Sequence, residues 1–386
     1  MKGPAAVLAQ ALAERSILVV CGAGGVGKTT AAAALAVQAA VSGRRVLVCT
    51  IDPSRRLATS LGLQKLPDRP RRLDLRTAAP GAAGEAWAMT LDTKRTFDAL
   101  VERHAKSDEA RDRILQNRFY QKVSAALAGS HEYMAMEKLL ELSADERFDL
   151  VVLDTPPTRH ALDFLEAPGR LMGFLDTSVL RWFLKPYFVA GRLTLKVATR
   201  TGAMAMKLVD KYLGLQFLQD LSEFFLAFEG MYDGFKERAA AVHALLRDPA
   251  TGFVLVASPA RVAVDEALYF HQRLREAEMP FVATIVNRVH GAGGTAPRRG
   301  RRAGKGARAD VDAALARALL EAHEDLSRLA RAEEKVIERL EDQTDEPLLR
   351  LPELEGDVHD LRGLVVVADM MFGGAPAANA PRRKAR

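Results

Sequence analysis

A glycine-rich segment at residues 22–30 reads Gly22-Ala23-Gly24-Gly25-Val26-Gly27-Lys28-Thr29-Thr30. It matches the pattern G-x-x-x-x-G-K-[S/T] of a phosphate-binding loop, or P-loop. An apolar, β-branched run at residues 16–21 precedes it and an Ala- and Leu-rich run at residues 31–40 follows it, which predicts a strand, a loop and a helix in that order. The loop's backbone N–H groups and the helix N-terminus would bind phosphates, Lys28 would neutralise the β- and γ-phosphates, and Thr29 would bind Mg²⁺. The segment therefore predicts a site for a nucleoside triphosphate.

Short apolar runs alternate with helical stretches along most of the chain. Six of these runs are strand candidates, at residues 17–21, 46–51, 86–91, 150–153, 253–257 and 281–286. Most are continuously apolar, as in strands that a parallel sheet buries on both faces. We therefore predict an α/β protein, a P-loop NTPase whose mostly parallel sheet is flanked by helices. Ligands of such sheets bind at the carboxyl ends of the strands.

Two long tracts, residues 93–147 and 171–248, have helical composition and no strand character. They lie on either side of the strand candidate at 150–153, so we expect them to pack together as one α-helical subdomain inserted into the core. The predicted ATPase core comprises residues 1–92, 148–170 and 249–370, with a basic loop at 291–309 and a disordered basic tail at 371–386.

The second tract carries large apolar residues at helical spacing: Phe217, Leu218, Leu221, Phe224, Phe225, Phe228 and Tyr232. Methionines in the same tract add flexible apolar surface. Two interpretations remain open. These side chains form the subdomain's own core, or they line a groove for a hydrophobic helical client.

The composition is that of an ordinary globular protein, with 48% hydrophobic and 27% charged residues. No apolar run is long enough to predict a membrane span. The two cysteines, Cys21 and Cys49, have neither metal-binding nor disulfide spacing, which favours a cytoplasmic location.

The net charge of +6 comes from two acid-free stretches, with six Lys and Arg residues at 298–308 and four at 382–386. The rest of the chain is mildly acidic. The two stretches could contact anionic lipid or nucleic acid, although a solvated loop and a frayed tail explain them more simply. We therefore do not expect nucleic acid as a partner, and we leave peripheral membrane contact open.

Two aspartates follow strand candidates. Asp154 ends the run at 150–153, the position at which P-loop enzymes hold Mg²⁺. Asp52 follows the run at 46–51, and its carboxylate could orient the attacking water, since phosphoryl transfer depends on positioning and charge stabilisation. The alternative role for Asp52 is an N-cap for a short helix that begins near Pro53.

Three segments together resemble one family. Residues 22–30, 52–61 and 154–162 are similar to the P-loop and the two switch segments of the ArsA-type ATPases. That family includes the arsenite-pump ATPase and the ATPase that targets tail-anchored membrane proteins. The resemblance covers roughly residues 14–370, with the basic loop as an insertion. It implies a homodimeric ATPase that closes on ATP, reopens after hydrolysis and passes this motion to helical subdomains.

The resemblance also implies roles for individual residues. Asp52 and Lys28 would be catalytic, with Asp52 polarising the attacking water. Thr29 and Asp154 would serve the metal, and Thr158 would lie in the second switch, which senses the γ-phosphate.

By the same resemblance, Asn287 would read adenine and the loop at Pro352 would close over the ring. The residues themselves also favour ATP over GTP. A guanine site of the usual kind needs Asn-Lys-x-Asp, whereas residues 287–290 read Asn-Arg-Val-His and lack the Asp.

The chain departs from the family in two respects. Ala23 stands where the family carries a lysine that reaches the partner's nucleotide, and Arg55, Arg56 or Arg159 could supply the missing charge. The two cysteines cannot form the zinc clasp or the thiolate metalloid site found in the family, which disfavours metalloid transport.

These features predict a Mg-dependent ATP hydrolase whose nucleotide-driven dimer switching moves a helical subdomain that handles a hydrophobic client. The alternatives are a positioning ATPase resembling MinD or ParA, which contacts membrane or DNA, and an ArsA-like anion-pump subunit.

Overall fold

The computed structural model describes residues 3–52, 54–123, 130–156, 220, 224, 232–291, 313–354 and 356–373. The chain divides into two compact units. The first comprises Met1–Thr90, Asp145–Ala161 and Arg247–Arg386, and the second comprises Leu91–Ala144 and Leu162–Leu246. The exact subdomain boundaries drawn from the sequence remain predictions.

In chain order the described elements are α1 (Pro4–Glu14), β1 (Ile17–Gly22), α2 (Lys28–Val41), β2 (Arg45–Thr50), α3 (Arg56–Ser60), β3 (Arg71–Arg72), β4 (Glu85–Thr90), α4 (Thr93–His104), α5 (Asp108–Gln116), α6 (Arg118–Val123), α7 (Ser130–Ser143), β5 (Leu150–Asp154), α8 (Tyr232–Arg247), β6 (Thr251–Ala257), α9 (Arg261–Glu276), β7 (Phe281–Val289), α10 (Ala313–Thr344), β8 (Leu348–Pro352) and α11 (Leu361–Phe372).

The first unit is built on one sheet of eight strands in the order β3-β4-β2-β5-β1-β6-β7-β8. Neighbouring strands are parallel except for β3 and β4. The central strands β1, β5 and β6 are buried along their whole length, as their continuous apolar runs predict. The predicted α/β fold, with a mostly parallel sheet flanked by helices, is therefore confirmed. All six predicted strands are present, and the edge strands β3 and β8 were not predicted.

The position of β1 in the sheet determines where a ligand can bind. Strand β1 pairs with β5 on one side and with β6 on the other. The strand order therefore changes direction at β1, which opens a crevice at its carboxyl end. The P-loop lies at this end, between β1 and α2. Helix α2 is rich in alanine and almost completely buried, because small side chains let it pack closely on the sheet and on α11.

The described part of the second unit is helical. Its aromatic side chains pack around Tyr120, whose ring centroid is 5.5 Å from that of Phe97 and 6.1 Å from that of Phe224. Phe224 is 1% exposed, so this residue belongs to the unit's core. The other Phe and Leu residues predicted to form either a core or a groove lie outside the described residues. Among the described helices, none is long and apolar enough to cross a membrane.

Candidate nucleotide-binding site

Glycine is required at two positions of the P-loop. Gly22 has φ 143°, and a Cβ there would lie 2.0 Å from the carbonyl oxygen of Val256 in β6. Gly27 has φ 95° and immediately precedes α2. A Cβ at Gly27 would lie 2.2 Å from Nδ2 of Asn287 in β7. At Gly22 the backbone of β6 leaves no room for a side chain, whereas at Gly27 glycine is favoured by the positive φ and by the close approach of the Asn287 amide.

The Lys28 side chain folds back over the loop. Its Nζ donates hydrogen bonds to the carbonyl oxygens of Gly22, at 2.9 Å, and Ala23, at 2.7 Å. Lys28 is only 6% exposed, and burial lowers the pKa of its ammonium group, an effect that nearby Asp154 opposes. A buried ammonium group held by two carbonyl oxygens is a strong site for an anion, because an anion would restore the charge balance.

Asp154 is the buried carboxylate at the end of β5. Its Oδ2 accepts hydrogen bonds from the hydroxyls of Thr29, at 2.9 Å, and Thr50, at 2.8 Å. Its Oδ1 is buried and has no hydrogen-bond partner among the described residues. Burial raises the pKa of Asp154 to about 6, although the two hydroxyls oppose this rise.

This arrangement fits a magnesium site. The ion prefers oxygen ligands, and it usually binds one or two carboxylates while keeping several waters. The unpaired Oδ1 of Asp154 and the hydroxyl of Thr29 provide such oxygens. A divalent cation would also compensate the buried charge of the carboxylate.

Asp52 lies just beyond β2, and its side chain closes a turn with the backbone of Ser54. Its Oδ1 accepts a hydrogen bond from the backbone N–H of Ser54, at 2.8 Å. Helix α3 begins only at Arg56, and its N-cap is Arg55, which makes no capping hydrogen bond. The alternative role of Asp52 as an N-cap is therefore wrong. Its side chain accepts a hydrogen bond from a backbone N–H of the turn that precedes the helix, and not from an N–H of the helix itself.

Two adjoining cavities lie at the carboxyl ends of the strands. The P-loop cavity, of about 520 Å³, is lined by Gly25, Gly27, Lys28, Thr29, Thr30 and Asp52 among others. The Pro352 cavity, of about 380 Å³, is lined by Asn287, Pro352 and apolar residues of β8 and α11. Of the predicted P-loop residues, Gly25, Gly27, Lys28, Thr29 and Thr30 line the P-loop cavity, and the predicted base-binding residues Asn287 and Pro352 line the Pro352 cavity. The other predicted loop residues, Gly22, Ala23, Gly24 and Val26, line neither cavity.

Asn287 contacts the P-loop directly. Its Nδ2 donates a hydrogen bond to the carbonyl oxygen of Val26, at 3.0 Å. The amide therefore ties β7 to the loop in addition to lining the Pro352 cavity. Three positions after Asn287, the ring of His290 contacts Glu333 of α10, with Nδ1 and Oε1 2.8 Å apart. The position where a guanine site has its Asp is thus occupied by a residue that contacts α10.

The remaining predictions for this site have different outcomes. Arg55 and Arg56 line the P-loop cavity, where either could supply the charge that Ala23 lacks. Thr158 and Arg159 lie outside the described residues. Sequence reasoning missed Thr50, Arg288 and Asp357. Among these three residues, only Thr50 had a sequence signal for a place in the site, namely its position near the end of a predicted strand.

The family is decided by comparison with known proteins. The model of the ArsA family, described as anion-transporting ATPases, matches residues 15–293. This chain belongs to the ArsA-type ATPase family. It is an ATP-binding P-loop ATPase by this membership, as the resemblance predicts.

Individual members of the ArsA-type family differ in how much of the chain they share. The chain is 31% identical over 291 residues to the ATPase GET3C of Arabidopsis thaliana, a match that covers 72% of this chain and 67% of that protein. It is 26% identical over 275 residues to an ATPase ASNA1 homolog of Babesia bovis, covering 69% of this chain and 64% of that protein. It is 29% identical over 176 residues to a putative arsenical pump-driving ATPase of Halobacterium salinarum, which covers 43% of this chain and 26% of that protein.

Proposed function

We propose that the chain is a Mg-dependent ATP hydrolase that works as a nucleotide-driven switch. The proposal rests mainly on one observation. Lys28, Thr29 and Asp52 line a single cavity, and the Thr29 hydroxyl donates a hydrogen bond to the carboxylate of Asp154, whose other oxygen has no partner among the described residues.

Binding would begin at the P-loop. The loop's N–H groups and Lys28 would bind the phosphates, with Lys28 Nζ exchanging the carbonyl oxygens of Gly22 and Ala23 for phosphate oxygens. Thr29 and Asp154 would hold the magnesium ion. When bound, this ion supplies charge neutralisation at the β- and γ-phosphates.

Hydrolysis would depend on Asp52. Phosphoryl transfer requires mainly that the attacking water is positioned and that charge is stabilised. The hydrogen bond from Ser54 N–H fixes the Asp52 carboxylate at the edge of the P-loop cavity. Asp52 would accept a hydrogen bond from the water and orient it toward the γ-phosphate. Thr158 would sense that phosphate, Asn287 would read adenine, and Pro352 would cover the ring.

The decisive experiment compares two aspartates that form the same kind of turn. Asp74 Oδ1 accepts a hydrogen bond from the backbone N–H of Arg76, at 3.1 Å, as Asp52 Oδ1 does from that of Ser54. Unlike Asp52, Asp74 is not among the residues that line either cavity. We expect Asp52→Asn to keep Mg-ATP affinity within about threefold and to lower turnover by roughly a hundredfold or more. Asp74→Asn should change neither quantity. Equal turnover in Asp52→Asn and the wild type would refute the role of Asp52.

The mechanical part of the proposal concerns dimerisation and a client. We propose that the chain forms a homodimer in the cytoplasm, that ATP closes it, and that the motion reaches the helical unit, which handles a hydrophobic helical client. Family membership and the Phe- and Met-rich tract support this. Since Phe224 is buried, a client groove would have to use other residues of that tract.

Scattering and binding measurements test this part separately. Solution scattering with and without a non-hydrolysable ATP analogue should give two different profiles at dimer mass. A fluorescent apolar 20-residue helical peptide should bind in one nucleotide state more tightly than in the other. A control peptide with Lys in place of every third Leu should not bind. Identical profiles, or equal binding of both peptides, would contradict the mechanical proposal.

A second candidate is a positioning ATPase that contacts an anionic surface. The ten basic residues in two acid-free stretches favour it. Replacing the six basic residues at 298–308 with Gln should then abolish stimulation of ATP turnover by vesicles containing anionic lipid. If vesicles do not stimulate even the wild type, this candidate is rejected.

A further inference from the structure

We propose that Asp357 recognises the ribose of the bound nucleotide and Arg288 its α-phosphate, so that the site distinguishes ribonucleotides from deoxyribonucleotides. This inference rests on the proposed ATP site and adds a sugar specificity to it. It concerns two residues to which neither sequence motif nor resemblance gives a role.

The P-loop cavity and the Pro352 cavity share part of their lining. Five residues line both of them: Gly27, Thr30, Arg288, Asp357 and Val358. Only Arg288 and Asp357 among these five are charged. The boundary therefore carries one cation and one carboxylate.

The covalent structure of a nucleotide determines what must lie at this boundary. Its base, ribose and phosphates follow one another in a fixed order. If the phosphates lie beside Lys28 and the base beside Asn287 and Pro352, the ribose and the α-phosphate must lie between the two cavities. The residues that line both cavities are then the ones that meet these two groups.

Arg288 lines both cavities from an irregular point of the backbone. Arg288 has φ 63°, an uncommon value for a residue other than glycine, at the point where the register between β7 and β8 shifts. Its Nε is 3.9 Å from Oε2 of Glu353, and both side chains are about half exposed. A pair this long and exposed is weak, so the guanidinium can turn to a phosphate at little cost. Arginine binds phosphate oxygens in a planar, two-pronged geometry.

Asp357 lies on the loop between β8 and α11. A carboxylate repels phosphate oxygens but accepts hydrogen bonds from hydroxyl groups. Of the two groups at the boundary, only the ribose carries hydroxyls. Dinucleotide-binding proteins use an acidic residue on the ribose 2′-hydroxyl in the same way, because the charged acceptor strengthens the bond.

Calorimetry with Mg²⁺ and either ADP or 2′-deoxy-ADP tests this assignment without turnover. We expect the wild type to prefer ADP by about tenfold, the effect of one hydrogen bond to a charged group. Asp357→Ala should lower ADP affinity to that of 2′-deoxy-ADP and leave the latter unchanged. Glu353→Ala is the control, since Glu353 is an acid of the same loop that lines only the Pro352 cavity. It also removes the partner of Arg288, so any change in affinity should be the same for both nucleotides. This control should keep the tenfold preference.

Arg288→Gln gives an independent measurement. It should lower the affinities for ADP and 2′-deoxy-ADP by the same factor, because both carry the α-phosphate. Equal affinities in the wild type, or an Asp357→Ala variant that loses affinity for both nucleotides equally, would overturn the ribose assignment alone. A wild type that binds neither nucleotide would refute the proposed function as well.

Discussion

The side-chain amide of Asn287 donates a hydrogen bond to the backbone carbonyl of Val26, over 3.0 Å. It joins two segments that are far apart in the chain, the end of β7 and the middle of the P-loop. A residue that the family resemblance assigns to adenine therefore also supports the phosphate side of the site.

This contact predicts that Asn287→Asp weakens binding of a ligand that has no base. The variant removes the donor and places a carboxylate against the carbonyl of Val26, which costs about 1–3 kcal/mol. We expect calorimetry to show weaker binding of both Mg-tripolyphosphate and Mg-ADP. Pro352→Ala is the control and should weaken ADP alone. Unchanged tripolyphosphate affinity in Asn287→Asp would mean that Asn287 acts only on the base.

Gly27→Ala should be more harmful than Gly25→Ala. Both glycines have positive φ, 95° and 77°, but an added Cβ meets Asn287 Nδ2 at 2.2 Å only at Gly27 and has open space at Gly25. Gly25→Ala should therefore cost only backbone strain, about 1–2 kcal/mol. Gly27→Ala should lower the free energy of unfolding in urea by more and also weaken Mg-ADP binding. Equal losses for the two variants would show that the contact with Asn287 is unimportant.

The buried carboxyl of Asp154 predicts a pH dependence of stability in metal-free protein. Its pKa is raised to about 6, whereas the unfolded chain has the ordinary value of 3.8. Between these values the folded state binds more protons than the unfolded state, so the free energy of unfolding should fall as pH rises from about 4 to about 6. The loss should be on the order of 3 kcal/mol.

Asp154→Asn should remove this contribution, as urea titrations at several pH values would show. Stabilisation of the wild type by Mg²⁺ should increase over the same pH range, because the ion needs the deprotonated carboxylate. A wild type and an Asp154→Asn variant with parallel pH profiles would contradict the assignment.

The helical unit contains an ion pair between Glu137 of α7 and the partly exposed Arg238 of α8. Glu137 is 2% exposed. Glu137→Gln should lower the free energy of unfolding by about 1–3 kcal/mol, because it leaves the partly exposed guanidinium without its counter-charge. The control is Lys138→Gln, which breaks the pair between Lys138 and Glu141 on the surface of the same helix. This change should cost less than about 1 kcal/mol.

The sheet could be predicted where strands are buried and not where they are exposed. Strands β1, β5 and β6 are buried on both faces, so their sequences are continuously apolar. Strand β3 is the pair Arg71–Arg72, exposed at one edge. Strand β8 lies at the other edge and alternates buried and exposed residues. Edge strands have no such sequence signal, because a neighbouring strand rather than their own hydrophobicity holds them in place.

The amino-acid sequence by itself determined the P-loop, the helix that follows it and the two strand-end aspartates. These features depend on local spacing, on glycine's conformational freedom and on continuous hydrophobic runs. Only the tertiary structure decided that Thr50 and Thr29 both donate hydrogen bonds to Asp154 and that Asn287 donates one to the P-loop. It alone also decided that Arg288 and Asp357 line both cavities. These groups are separated by tens to hundreds of residues, and their proximity follows from the parallel strand order, which no short stretch of sequence encodes.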